Sequence, residues 1–192
     1  MKRVFIIHGW DGSPSEPMLR GLRRQLEENG FVVSVPEMPI PDTPEIGVWV
    51  EKLNKIVTKP DKNTYFIGHS IGCQAILRYI EKLPLGAKIG GMVFIAPWMS
   101  LKPESFENDE AREIAKPWIE TPMNFVRIKM RFKKIVCIFS DNDPFVPLSD
   151  KEIFEKKLGA EIITEHKKSH FRGEDNIKEL PIALKKFMEI SA

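Results

Sequence analysis

Two hydrophobic patterns alternate along the chain. Short, nearly uninterrupted runs rich in Val, Ile and Phe are typical of strands that are buried on both faces. Apolar residues spaced three or four apart, such as Met18, Leu22 and Leu26, are typical of amphipathic helices that turn one face inward. The predicted strands cover residues 2–7, 31–35, 64–67, 91–96, 134–139 and 160–165.

A helical segment follows each predicted strand. Asn29-Gly30 marks the end of the first helix, and Thr43 followed by Pro44 is a capping pair that would start the second. The main predicted helices cover residues 17–28, 44–58, 71–83, 109–118, 150–158 and 175–190, with a shorter segment at 123–129. Regular alternation of strand and helix predicts an α/β fold, with about six parallel strands and helices on both faces. We expect one domain over residues 1–192.

The sequence Gly68-His69-Ser70-Ile71-Gly72 lies between the third predicted strand and a predicted helix. A G-x-S-x-G turn in that context is typical of a nucleophile elbow, in which a sharp turn raises a serine hydroxyl above the sheet edge. Glycines two residues before and after Ser70 would let the strand and the helix pack closely. Ser70 is therefore the predicted nucleophile.

Residues that could complete such a site follow three other strands. His8-Gly9-Trp10 follows the first strand, Asp143 follows the fifth and His170 follows the sixth. The carboxyl ends of parallel strands meet at one edge of a sheet, so these residues should lie near Ser70. A serine hydroxyl needs a neighbouring base, which we predict to be His170, and Asp143 would orient that imidazole.

The developing oxyanion also needs hydrogen-bond donors. The backbone N–H of Ile71, directly after the nucleophile, is the first predicted donor. The backbone N–H of Trp10 is the best second candidate because it lies in the loop after the first strand.

Other residues compete for the acidic and basic roles. Asp141 also follows the fifth strand, although the Val-Pro that follows Asp143 favours the latter. His166 ends the sixth strand and could be structural. His69 would pack beside or orient the turn, and His8 would shape the loop after the first strand.

Candidate substrate-binding residues come from the same strand-end loops: His8, Gly9, Trp98 and Phe145. The aromatic side chains, including that of Trp10, are equally suited to a hydrophobic core. Residues 98–130 are the least regular part of the chain and could form a modest cap or a simple connection.

Composition narrows the classes of function. Twenty-nine Lys and Arg nearly balance 27 Asp and Glu, for a net charge of +2, so we expect no nucleic-acid partner. No apolar run reaches the length of about 18 residues that a membrane helix needs, and the apolar run before His8 is too short for a signal peptide. We expect a cytoplasmic protein. Cys73 and Cys137 fall inside predicted elements as buried thiols, and no Cys/His cluster has zinc spacing, so we expect no metal.

The chain order Ser, Asp, His with a G-x-S-x-G turn resembles the α/β-hydrolase superfamily. Within it, the small size, the opening His-Gly-Trp-Asp-Gly-Ser and the closing Ser-His-Phe resemble the serine hydrolases related to bacterial YdeN and human retinoblastoma-binding protein 9. The resemblance covers nearly the whole chain. It implies a reduced hydrolase core without a large lid, and it implies catalytic roles for Ser70, Asp143 and His170. The Leu-x-Cys-x-Glu motif of the human relative is missing, so its pocket-protein binding is not implied.

The predicted function is hydrolysis of a small carboxylic ester, thioester or amide through an acyl-serine intermediate, with no cofactor. The alternative is a hydrolase-fold interaction module with little catalysis, because a fold does not by itself imply an activity. A flavodoxin-like or phosphate-binding domain is disfavoured, since the loop after the first strand lacks a Gly-rich phosphate cradle.

Overall fold

Six strands form one parallel sheet in the computed structural model, which describes every residue from Met1 to Ala192. The strands lie in the order β2-β1-β3-β4-β5-β6, and each of the five pairings is parallel. This confirms the predicted α/β class with six parallel strands. The bounds are β1 (Arg3–Ile7), β2 (Val32–Ser34), β3 (Thr64–His69), β4 (Gly91–Ile95), β5 (Lys134–Ser140) and β6 (Glu161–Glu165).

Helices cover both faces of the sheet, because neighbouring residues of a buried strand point to opposite sides. In β1, Phe5 and Ile7 belong to one hydrophobic cluster, whereas Val4 and Ile6 belong to the other. The helices are α1 (Pro17–Glu28), α2 (Ile46–Ile56), α3 (Ile71–Lys82), α4 (Asp109–Glu120), α5 (Phe125–Lys129), α6 (Lys151–Ile153), which continues as a π-helical turn (Phe154–Leu158), and α7 (Pro181–Ser191). Buried residues of α1 and α7 pack on the Val4 side, and those of α2 to α5 and of the π-helical turn pack on the Phe5 side.

Two predicted helix starts were wrong. The last helix begins at Pro181 instead of residue 175, since proline suits a first turn but would break a helix that had already begun. Residues Gly173–Asp175 form only a single 3₁₀ turn. The second helix begins at Ile46, and the predicted cap Thr43 instead bonds back to the Asp42 carboxylate.

The irregular segment 98–130 packs on the core instead of standing above it. α4 starts at Asn108, whose side-chain oxygen accepts a 2.8 Å hydrogen bond from the Ala111 N–H. Trp118 in the same helix is buried, and its indole N–H donates to the Pro44 carbonyl at 2.8 Å. The segment therefore lies along one side of the sheet edge. The expectation of no large lid is confirmed.

The two cysteines and the lengths of the helices agree with what the sequence predicts. Cys73 and Cys137 are buried free thiols, and burial raises the pKa of both. None of the helices has both the length and the apolarity required to cross a bilayer.

Candidate active site

Ser70 occupies the tight turn between β3 and α3. Its backbone has φ +52° and ψ −124°, a region that residues with a side chain seldom adopt. The turn is held from both sides, because Ser70 N–H donates to the Ile95 carbonyl at 2.9 Å and the Ser70 carbonyl accepts from Cys73 N–H at 3.0 Å. A strained conformation that neighbouring strands enforce is a frequent feature of functional sites.

The glycines on either side of Ser70 allow this turn to pack. A Cβ atom at Gly68 would lie 2.9 Å from the backbone of Cys73, and one at Gly72 would lie 2.5 Å from the His8 carbonyl oxygen. Neither position has room for a side chain. Gly72 brings the first turn of α3 directly against the carboxyl end of β1, so the loop that follows β1 lies beside Ser70.

Asp143 and His170 form a buried hydrogen-bonded pair. Asp143 Oδ2 lies 2.8 Å from His170 Nδ1, and Asp143 Oδ1 accepts from the backbone N–H groups of Phe145 and Val146 at 2.8 and 3.0 Å. Both carboxylate oxygens are therefore engaged, and the carboxylate cannot swing away from the imidazole. Because Nδ1 donates to the carboxylate, a neutral His170 leaves Nε2 free to accept a proton.

The Ser70 hydroxyl makes its hydrogen bond with Trp98. The indole N–H of Trp98 donates to Ser70 Oγ at 3.3 Å, and no hydrogen bond joins Oγ to His170. Such bonds are often long in structures without substrate and shorten when substrate is bound. Trp98 thus meets two expectations at once, since its side chain is buried and it also lies against the Ser70 hydroxyl.

The competing Asp and His residues pair with each other at the surface. Asp141 Oδ2 contacts His166 Nδ1, and Asp141 Oδ1 accepts from the Lys167 N–H at 2.9 Å. The bond from Lys167 and the contact with His166 lower the pKa of the Asp141 carboxyl. Neither side chain approaches Ser70 in the cleft described below.

His8 and His69 are both buried and hold the backbone. His8 Nε2 accepts from the Met38 N–H at 2.9 Å, and Nδ1 lies 2.9 Å from the Gly9 carbonyl, so the ring is neutral and fully bonded. Burial lowers its pKa. The structure does not bring His8 to the cleft, because residues that precede α2 fold over it. His69 Nε2 lies 2.8 Å from the His170 carbonyl.

A cleft of about 620 Å³ opens above Ser70 and His170. Three of the four candidate substrate-binding residues, Gly9, Trp98 and Phe145, line it, as does Trp10. The Phe145 ring packs edge-on against the His170 imidazole, with 4.9 Å between centroids. Ala111 and Ile114 of α4 form the facing wall.

Of the two predicted oxyanion donors, Trp10 lines the cleft and Ile71 directly follows Ser70. Ile71 is the first residue of α3, so its N–H has no acceptor within the helix. The backbone N–H of Trp10 has no hydrogen-bond partner, while its indole N–H is fixed by the Asp42 carbonyl at 2.7 Å. Both groups can therefore serve a ligand without breaking an existing bond.

Sequence reasoning missed three residues around the cleft. Buried Asp150 accepts from the backbone N–H groups of Met99 and Ser100 at 2.6 and 2.8 Å, which fixes the loop that carries Trp98. Glu16 and Arg172 line the cleft beside His170. No local motif marks any of the three, because their partners around the cleft, Met99, His69 and Phe145, are distant in sequence.

This parallel sheet, with a serine turn after β3 and acid and histidine loops after β5 and β6, defines the α/β-hydrolase fold. The family described as serine hydrolase matches residues 4–189, and the chain belongs to it. YdeN of Bacillus subtilis is 27% identical over 181 residues, which cover 94% of this chain and 92% of YdeN. The serine hydrolase RBBP9 of Rattus norvegicus is 25% identical over 86% of this chain and 79% of its own length.

Solved structures agree with this assignment. The crystal structure of the B. subtilis ydeN gene product superposes with a TM-score of 0.90 at 25% identity, covering 99% of this chain and 98% of that one. Est1E of Butyrivibrio proteoclasticus, solved with ferulic acid bound, matches with a TM-score of 0.69 at 16% identity, over 98% of this chain and 88% of its own. The second likeness shows a shared fold. The protein is thus a serine hydrolase of reduced α/β-hydrolase architecture, as the sequence predicted.

Proposed function

We propose that the protein hydrolyses small carboxylic esters, thioesters or amides with Ser70, His170 and Asp143 as its catalytic triad. The single observation that carries the proposal is the buried 2.8 Å bond between Asp143 and His170 in the same cleft as Ser70. Family membership supports the hydrolytic chemistry, and the geometry supports the assignment of the residues.

In the first half-reaction, Ser70 Oγ attacks the substrate carbonyl carbon while His170 Nε2 takes its proton. The carbonyl oxygen becomes an anion, which the N–H groups of Ile71 and Trp10 receive. The tetrahedral intermediate then expels the leaving group, to which His170 returns the proton, and an acyl-serine remains.

Water completes the cycle. His170 removes a proton from water, the hydroxide attacks the acyl carbon, and collapse of the second tetrahedral intermediate releases the carboxylic acid and restores the Ser70 hydroxyl. Asp143 keeps the proton on Nδ1 and stabilises the imidazolium that forms in each half-reaction. These steps require no metal or organic cofactor.

The cleft favours a small-molecule acyl substrate. Its volume of about 620 Å³ is within the range of about 300–1,000 Å³ that is typical of sites for small ligands. Trp98 and Phe145 supply apolar surface on either side of the hydroxyl, where an acyl chain would lie.

Active-site labelling tests the proposal directly. A fluorophosphonate probe should label wild-type protein at Ser70, and short-chain p-nitrophenyl esters should be hydrolysed. Ser70→Ala should abolish both, since it removes the attacking oxygen while the fold is kept. Ser149→Ala is a matched control, because that serine is exposed, its side chain makes no hydrogen bond and it does not line the cleft. Labelling that persists in Ser70→Ala, or wild-type protein that is inert to both reagents, would overturn the proposal.

A further inference from the structure

Two buried polar atoms face each other behind the proposed base without a hydrogen bond. Glu16 Oε2 lies 3.7 Å from His69 Nδ1, and neither atom has another partner. Both are shielded from water, and the His69 side chain is only 3% exposed. Unpaired buried polar atoms are uncommon in native proteins and each calls for a physical explanation.

The hydrogen bond of His69 Nε2 determines the tautomer of the ring. Nε2 lies 2.8 Å from the carbonyl oxygen of His170, which can only accept, so Nε2 carries a hydrogen. In a neutral imidazole, Nδ1 then presents a lone pair toward Glu16. An ionised Glu16 would present a second lone pair to the first, and a repulsive contact of this kind would be costly in a buried site.

A proton resolves the conflict, and a water molecule does not fit. Both atoms are already covered by protein, so no solvent molecule can bridge them. We propose that Glu16 is a positioning residue that keeps its proton and donates it to Nδ1 of His69, so that His69 holds the backbone carbonyl of the catalytic His170. A shift of about 1 Å in the Glu16 carboxyl brings the two atoms to normal hydrogen-bond distance.

The surroundings favour the proton on Glu16 over a charged His69. Burial, followed by the nearby His170, lowers the pKa of His69 to about 3. Burial raises the pKa of Glu16, and Glu174 acts in the same direction, whereas the Ser13 N–H bond, His170 and Arg172 oppose it. Two other charges act on His69: Asp143, which opposes the lowering and is already paired with His170, and Arg172, which adds to it.

The proposed chain of donors would restrain a strained loop. Ser169 and Phe171, on either side of His170, both have positive φ, near +49° and +60°. Two bonds hold the backbone of the loop's central residue: the His170 N–H donates to Asp175 Oδ2 at 3.1 Å, and the His170 carbonyl accepts from His69. If Nδ1 of His69 loses its donor, the ring can turn and the second bond is lost.

Infrared spectroscopy tests the protonation of Glu16 independently of any activity. At pH 7 the wild-type protein should show the carbonyl band of a buried carboxylic acid, and Glu16→Gln should lack it. Glu28→Gln is the matched control, since Glu28 is the last residue of α1, the helix that Glu16 directly precedes, and its side chain is 66% exposed. The same band should remain in that control. An ionised Glu16 at pH 7 would overturn the inference.

Kinetics test the positioning role, which rests on the proposed function. Glu16→Met removes the donor and should lower kcat on a p-nitrophenyl ester about tenfold with KM nearly unchanged, in line with one lost buried hydrogen bond. Glu16→Gln should restore most of that loss, because its amide can donate to His69 and its oxygen can still accept from Ser13. Equal impairment of the Met and Gln variants would contradict the role.

The thermal midpoint supplies a third, activity-independent readout. A carboxyl whose pKa is raised by folding binds its proton more tightly in the folded state, so wild-type stability falls relative to Glu16→Gln as pH rises through that pKa. The difference in Tm between Gln variant and wild type should therefore grow with pH. If the protein proved inert to esters while the acid band and this trend were present, the proposed function would fail and the protonated Glu16 would stand.

Discussion

The loops after β5 and β6 contribute two Asp–His pairs that differ mainly in their exposure. In the inner pair, the His170 and Asp143 side chains are 7% and 3% exposed, and in the outer pair, those of His166 and Asp141 are 73% and 35% exposed. Each pair joins an Nδ1 atom to a carboxylate oxygen. Sequence spacing alone barely separates them, because the aspartates are two residues apart and the histidines are four apart.

Burial gives the inner pair a different physical character. Water competes for both partners of an exposed pair, which contributes little to stability and leaves the ring free to turn. In the inner pair, Phe145 covers the ring and two backbone N–H groups hold the carboxylate, so the imidazole keeps one orientation. Orientation and tautomer are what a general base needs from its aspartate.

Removing each histidine gives the largest expected contrast. His170→Ala should lower kcat for ester hydrolysis by about 10⁵- to 10⁶-fold, the scale seen when a triad base is deleted. His166→Ala should leave kcat within about twofold, since its ring lies in solvent. Steady-state rates on a p-nitrophenyl ester measure both. A large loss in His166→Ala with retained activity in His170→Ala would reverse the assignment of the base.

The aspartates should show a smaller contrast. Asp143→Asn keeps the shape of the side chain but offers a donor to Nδ1, which favours the wrong tautomer, so kcat should fall by about 10⁴-fold. Asp141→Asn should change kcat by less than about twofold. The same assay checks both, with circular dichroism to establish that each variant is folded. Comparable losses of kcat from the two variants would show that Asp143 matters no more for hydrolysis than Asp141 does.

The smallest expected effect is a pH-dependent change in stability at the outer pair. The bond from the Lys167 N–H and the contact with His166 stabilise the ionised Asp141 and hold its pKa below the ordinary 3.8. This contribution is present above about pH 3.8 and is lost as the pH falls through the folded-state pKa. Asp141→Asn should therefore lower Tm slightly at pH 7 and not at all well below that pKa. Thermal melts at pH 7 and well below the folded-state pKa measure this difference in Tm between variant and wild type. A difference that grew on acidification would contradict the prediction.

Much of the fold was predictable because it depends on local patterns. Apolar runs located the first five strands, Ile162 and Ile163 between polar neighbours located the sixth, and the flanking residues of Ser70 identified the turn. The helix start at Ile46 was missed because Thr43 bonds to the neighbouring Asp42 carboxylate instead of capping the helix, and the start at Pro181 was missed because proline sets the first turn there. One domain over residues 1–192 stays a prediction.

The site was predictable only as far as strand ends determine it. Because loops after parallel strands share one edge of a sheet, the sequence predicted that Ser70, Asp143 and His170 lie close together. Their catalytic roles stay predictions. The same rule wrongly predicted that His8 would reach the cleft. Its ring is buried under the loop that contains Met38, whose N–H donates to His8 Nε2. Glu16 and Asp150 could not be found, since their roles depend on side-chain contacts across 50 or more residues of sequence.

The bond from His69 to the His170 carbonyl joins positions 101 residues apart. Its consequence concerns the order in which the molecule matures. Most of the sheet can pair before the last loop docks, whereas contacts of long sequence separation close late and slowly. A refolding or newly synthesised chain should therefore gain its circular dichroism signal before it can react with a fluorophosphonate. The Ser70 hydroxyl would not react with the probe until the C-terminal segment that carries His170 has docked.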